Sequence, residues 1–168
     1  DGTIDEIISC EEERREKTKS GKEKITMAPK KLLFPKRTDK SAIESNYIEH
    51  RPLYIFGLNL DKGELTPDDK SQKAKKSHDA FVKKNLEFIE GLDSPTVNAF
   101  RNFLLKWKPE DEVLNTHVLT LGTKYKSSGF AFCLTGSPDV LLQDDLAVCR
   151  KWEELYSKNQ NVPGEFEA

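Results

Sequence analysis

The chain has 168 residues, which suits one domain, or one domain with an appendage. It is 36% hydrophobic and 33% charged, apolar-poor and charge-rich for a globular chain, and no apolar run approaches the roughly 18 residues that a membrane helix needs. The formal net charge of −2 decides nothing until its distribution is read. The three cysteines, Cys10, Cys133 and Cys149, form no Cys-x-x-Cys pair, and their spacing matches neither a disulfide framework nor a zinc site. A reducing, cytoplasmic setting without a metal or cofactor is the expectation.

Asp1-Gly2 is a hairpin-turn dipeptide, and residues 3–8 then read as a strand. The partner strand would lie before Asp1, so the chain reads as a fragment of a longer protein, cut close to its N-terminus. Residues 11–23 are charged and without apolar period, as in a mobile loop. Residues 24–37 mix β-formers with two prolines, which fits an edge strand or extended loop. Turn formers follow to Tyr47. Residues 52–58, PLYIFGL, form a compact apolar strand candidate, and residues 61–70 a polar loop.

The period then becomes helical. Ala74, Phe81, Val82, Phe88, Ile89 and Leu92 define one helix face, with Ser71 as N-cap and Gly91 near the end. Ser94-Pro95 opens a second helix, whose buried stripe is Val97, Phe100, Phe103, Leu104 and Trp107. Lys108-Pro109 stops it. The tight join at Asp93 makes an αα-hairpin over 71–107. Residues 116–121 and 129–134 read as short strands around a loop. Asp144-Asp145 opens a last helix ending near Tyr156, and a polar tail follows. The expected architecture is α+β: an antiparallel β-sheet, an αα-hairpin and a further C-terminal helix. It forms one domain with a strand-rich basic part at 1–60, the hairpin at 71–107, and short strands plus a helix at 116–157.

Catalytic signals are sparse. His50, His78 and His117 have no nucleophile motif beside them. Asp68-Asp69 and Asp144-Asp145 are adjacent, so their side chains diverge, and acids in a first helical turn answer the macrodipole. There is no P-loop, G-x-G-x-x-G, G-x-S-x-G or H-E-x-x-H. A non-catalytic binding domain is expected.

Charge is unevenly spread. Between Lys17 and Lys40, nine basic residues face only Glu23 and Asp39. A second cluster is Lys70, Lys73, Lys75 and Lys76. Such patches attract phosphate backbones through counterion release. Lys30, Lys31, Lys36, Arg37 and Lys40 are the candidate phosphate contacts. Ser41 and Asn46 follow on a polar loop, where Asn46 has the donor and acceptor that adenine's major-groove edge requires. Two rival readings stand beside this one. The lysine-rich loops could be solubilising charge on a protein-interaction scaffold, and Asn46 could merely cap the turn before residue 52. A third reading is a fragment of an enzyme whose catalytic residues lie outside the chain.

The order of segments carries a resemblance. PKKLLFPKR, Asn46-Tyr47, Tyr54-Ile55-Phe56-Gly57, His78 with Phe81, Gly91-Leu92-Asp93, and Phe103-Leu104 with Trp107 run in sequence. FAFCLTG and LLQDDLAVCRKWEE then complete the order. Over nearly its whole length the chain resembles the N-terminal region of the large subunit of type I-C CRISPR Cascade, the cas-eight-c family. The resemblance implies an RNA-guided surveillance complex in which guide RNA supplies sequence specificity. The large subunit reads the protospacer-adjacent motif on duplex DNA, helps open the duplex, and is not itself a nuclease. Implied partners are that duplex, the CRISPR RNA-containing Cascade subunits and a recruited nuclease-helicase. Position 45 is Ser and position 47 Tyr where the family pattern has more hydrophobic character.

Overall fold

The computed structural model describes residues 1–35, 42–67 and 70–160. Two long helices and a short one gather the core. α1 (Pro52–Phe56) packs on α2 (Lys73–Phe88), and α3 (Pro95–Lys106) follows α2 through the tight turn at 89–94. The period-based expectation for α2 and α3 holds, except that α2 is capped by Gln72, in a left-handed conformation, rather than by Ser71. Ser94 Oγ accepts from Val97 N at 3.1 Å, as an N-cap should. The Arg101 guanidinium donates to Ile89 O and Leu92 O, tying α3 to the end of α2. Phe81, Phe100, Phe103 and Trp107 are buried, and the rings of Phe81 and Phe100 meet edge-on at 6.1 Å.

Residues 52–58 are not a strand. Pro52 stands at the start of α1, where its missing N–H costs nothing, and Gly57 ends it at φ +64°, its N–H donating to Leu53 O at 3.0 Å. Tyr54, Ile55 and Phe56 are buried on consecutive positions, so the apolar run that suggested a strand is a helix enclosed on all sides. His78 Nδ1 donates to Tyr54 O at 2.9 Å, and Trp107 Nε1 to Phe56 O at 2.9 Å. The core thus satisfies this short helix's free carbonyls with α2 and α3 side chains.

The strands are antiparallel, but among the described residues they form three separate hairpins rather than one sheet. β1 (Glu11–Lys17) pairs with β2 (Glu23–Pro29), which overturns the loop expected at 11–23. The register sets Glu16 opposite Lys24 and Lys17 opposite Glu23, favourable pairs that no apolar period reveals. Gly21, at φ +78°, supplies the left-handed residue of the connecting turn. β3 (Asn59–Asp61) and β4 (Glu64–Thr66) replace most of the polar loop expected from residue 61. Their turn, Lys62-Gly63, has φ +49° and +80°, the two-residue hairpin geometry.

The expected strand at 116–121 is also absent. Asn115 Oδ1 accepts from Val118 N, starting α4 (Thr116–Leu119), and α5 (Lys124–Ser127) replaces the loop after it. Val118 and Tyr125 are buried, and the Tyr125 hydroxyl donates to Leu58 O. Of the strand expected at 129–134, only β5 (Cys133–Leu134) pairs, with β6 (Ser137–Leu141). α6 (Leu146–Gln160) opens where the acidic pair foretold it: the Asp145 carboxylate accepts from Ala147 N and Val148 N. Residues 3–8 lie in no strand. Ile4 and Ile7 pack against the core, while Lys106 Nζ donates to Asp1 O and Thr135 Oγ1 to Asp5 Oδ2. Side-chain anchoring, not a β-ladder, holds this segment.

Candidate nucleic-acid interface

The irregular segment 42–51 crosses the end of α2, and its backbone is held by two buried polar side chains. Glu49 is the first. Oε1 accepts from His50 N at 2.9 Å and from Arg51 N at 3.1 Å, and Oε2 accepts from Asn46 N at 2.9 Å. The Arg51 guanidinium adds two charge-assisted bonds, Nε to Oε1 at 3.0 Å and Nη2 to Oε2 at 2.8 Å. Burial alone would raise the Glu49 pKa. The hydrogen bonds from His50, Arg51 and the Asn46 backbone outweigh it and hold the carboxyl well below the usual range. Arg51 Nη2 also donates to Glu44 O, and the guanidinium lies 3.8 Å above the Tyr54 ring. Its pKa is raised, chiefly by the bond to Glu49.

Asn85 is the second anchor. Its Oδ1 accepts from Ile48 N at 2.8 Å, and its Nδ2 donates to Asn46 O and Phe81 O. Between the anchors, Ile48 sits at φ +51°, a left-handed conformation that a β-branched residue rarely adopts. Such a residue persists only where its surroundings over-determine it, as Glu49 and Asn85 do.

Asn46 is therefore gripped at both ends of its peptide units. Its N–H goes to Glu49, and its carbonyl accepts from Asn85 and from Ser45 Oγ. Its side-chain amide, by contrast, makes no hydrogen bond among the described residues and is not among the buried polar atoms. The turn is capped by Glu49 and Asn85, so Asn46 is not its own cap. Tyr47 next to it is committed to packing: its ring stacks on Phe88 at 4.7 Å, with Lys84 Nζ 4.7 Å from its centroid.

A family model described as CRISPR-associated protein (Cas_Csd1) matches residues 1–165. The chain belongs to the Cas_Csd1 family of CRISPR-associated proteins. Membership places it in CRISPR defence. No curated protein and no solved structure matches it significantly.

Within this Cas_Csd1 chain, Lys30 and Lys31 are exposed and make no ion pair among the described residues. Their segment returns to the Asn46 loop at Phe34, whose ring lies 6.0 Å from that of His50. Lys36, Arg37, Lys40 and Ser41 lie outside the described residues. The second lysine cluster, Lys70, Lys73, Lys75 and Lys76, is exposed around the start of α2, and Lys75 pairs with Asp79 at 3.1 Å. Among the described residues no group of His, Cys, Asp and Glu is arranged to hold a metal ion, and no helix is long and apolar enough to cross a membrane.

Sequence reasoning missed both anchors. Asn85 carried a usable signal. It sits on the same helix face as Phe81 and Phe88, and a polar residue on an apolar stripe asks for a partner. Glu49 carried none, because in EHRP it reads as one surface charge among others.

Proposed function

We propose that this chain is the non-catalytic DNA-recognition region of the large subunit of a type I-C CRISPR surveillance complex, reading the protospacer-adjacent motif. Three features support it. Family membership ties the chain to CRISPR systems. Lys30 and Lys31 present unpaired positive charge on the segment leading to the Asn46 loop. Lys36, Arg37, Lys40 and Ser41 extend that segment in sequence. The observation that carries the reading is Asn46: a clamped, partly strained backbone presents a side-chain amide with no partner of its own. A fixed amide with a donor and an acceptor matches adenine's major-groove edge, while flanking lysines hold phosphates and set register. The guide RNA would supply the remaining specificity, with duplex DNA, guide-bearing Cascade subunits and a recruited nuclease-helicase as partners in the cytoplasm.

The test is Asn46→Ala in the assembled complex. Binding to a motif-bearing duplex should weaken by about 1–3 kcal/mol, and binding to a motif-scrambled duplex far less. Equal weakening on both duplexes refutes base reading by Asn46.

A further inference from the structure

The β1–β2 hairpin belongs to no part of the site described above. None of Glu11–Pro29 enters the buried core, and the two seven-residue strands are paired throughout. At the usual rise the ladder spans about 23 Å from its base to its turn. Lys30 N donates to Cys10 O just below the last strand pair, and four residues later the Phe34 ring lies 6.0 Å from that of His50. A four-residue segment thus joins the base of the arm to the candidate interface.

Charge is segregated along this arm. At the base of β1, Glu11, Glu12 and Glu13 stand beside Arg14 and Arg15. The distal end, residues 16–24, holds Lys17, Lys19, Lys22 and Lys24 against Glu16 and Glu23. All four lysines are exposed, and none makes an ion pair among the described residues. Lys17 stands opposite Glu23 in the register without closing a bridge. The turn itself is closed by hydrogen bonds: Thr18 N donates to Lys22 O at 2.9 Å, Gly21 N to Thr18 O at 2.8 Å, and Thr18 Oγ1 to Lys22 O at 3.0 Å. The backbone N–H groups of Lys19 and Ser20 have no partner among the described residues, so the tip offers donors beside its charges. A paired arm ending in exposed lysines and free N–H groups is complementary to a row of phosphates.

We propose that the β1–β2 hairpin is a second DNA-contacting arm, whose tip lysines Lys17, Lys19, Lys22 and Lys24 hold backbone phosphates of the duplex away from the Asn46 loop. The inference rests on the reading of Asn46 as facing duplex DNA. An arm of about 23 Å reaches roughly seven phosphates along one strand, spaced 3.4 Å apart. The arm would therefore lengthen the footprint and add affinity without adding sequence preference.

The experiment compares three assembled complexes: wild type, K17Q/K19Q/K22Q/K24Q and Asn46→Ala. Affinity for motif-bearing and motif-scrambled duplexes is measured from 50 to 200 mM salt. The lysine variant should lose affinity by the same factor on both duplexes. Its slope of log affinity against log salt should flatten by about 0.9 for each phosphate contact removed. The milder K19Q/K22Q variant, confined to the turn, should flatten it about half as much. Asn46→Ala should instead change the ratio between the duplexes and leave the slope alone. An unchanged slope in the lysine variant overturns the arm, whatever Asn46→Ala does. A flattened slope with no effect of Asn46→Ala upholds the arm and removes the base-reading role. A lysine variant that no longer joins the complex, or joins it without guide RNA, overturns the assignment to DNA.

Discussion

Glu49 gives the most stringent test of how the candidate interface is built. Its side chain is 0% exposed, whereas that of its partner Arg51 keeps 35% exposure. Glu49→Ala removes the acceptor for three backbone N–H groups, those of Asn46, His50 and Arg51, and leaves the Arg51 guanidinium with Glu44 O. Breaking a fully buried ion pair by deleting one partner costs about 3–5 kcal/mol. Solvent reaches Arg51, so the expected loss lies at the low end, about 3 kcal/mol in urea melts at neutral pH. Glu49→Gln should not rescue it. Both carboxylate oxygens face donors, and an amide offers one oxygen and one N–H, so one contact becomes donor against donor. Linkage adds a pH signature. The folded-state pKa lies below the ordinary 4.5, so the stabilisation is present in full above 4.5 and is lost as pH falls below it. Wild type should therefore lose stability on acidification more steeply than Glu49→Gln, which has no carboxyl to protonate. A Glu49→Ala melt within about 0.5 kcal/mol of wild type, or parallel acid profiles, would refute the keystone role.

Trp107→Ala should cost about 3–5 kcal/mol, while Trp107→Phe, which loses the bond to Phe56 O but keeps most packing, should cost about 1–2 kcal/mol; a Trp107→Phe denaturant melt within about 0.5 kcal/mol of wild type would deny the indole N–H its role. Gly57→Ala places a Cβ 2.7 Å from Pro109 Cγ and 2.8 Å from His78 Cβ at φ +64°. It should destabilise by about 2–4 kcal/mol, and a melt unchanged from wild type would show that the α1–α2 contact is loose.

The parts of the fold legible in the sequence are those where a local rule and tertiary packing agree. α2 and α3 have helical apolar stripes, Ser94-Pro95 is an unambiguous start, and Asp145 caps α6. Two of the misreadings share a cause: an apolar run suggests a strand when the punctuation around it is that of a helix. PLYIFG carries a proline at its start and a glycine at its end, the polarity of a short helix, yet its β-forming composition suggested a strand. In THVLTL, Asn115 just before the run is the cap that turns it into α4. In EEERREK no apolar signal exists at all, because β1 is stabilised by its pairing with β2 and not by a buried face. Strand pairing is a relation between two segments, and composition within one cannot display it.

The same distinction separates what was legible in the candidate interface from what was not. Asn46 was visible because its residue type, next to a basic run, suits base-edge chemistry. What makes it more than a polar loop residue lies elsewhere. A surface asparagine ordinarily bonds its own turn, and that bond would cost it the freedom to meet a base. Here Glu49 and Asn85 take over the turn's hydrogen bonding, from three residues away in sequence and from 39. Arg51, lying over the Tyr54 ring, holds Glu49, and Asn85 is buried on α2. The α1–α2 contact that fixes Gly57 against His78 belongs to the same unit. Disturbing any of these distant groups should release the loop before it unfolds the domain. An altered preference between motif-bearing and scrambled duplexes would then accompany Glu49 variants even where the complex still assembles, which is the signature of a site held by its core rather than by its own sequence.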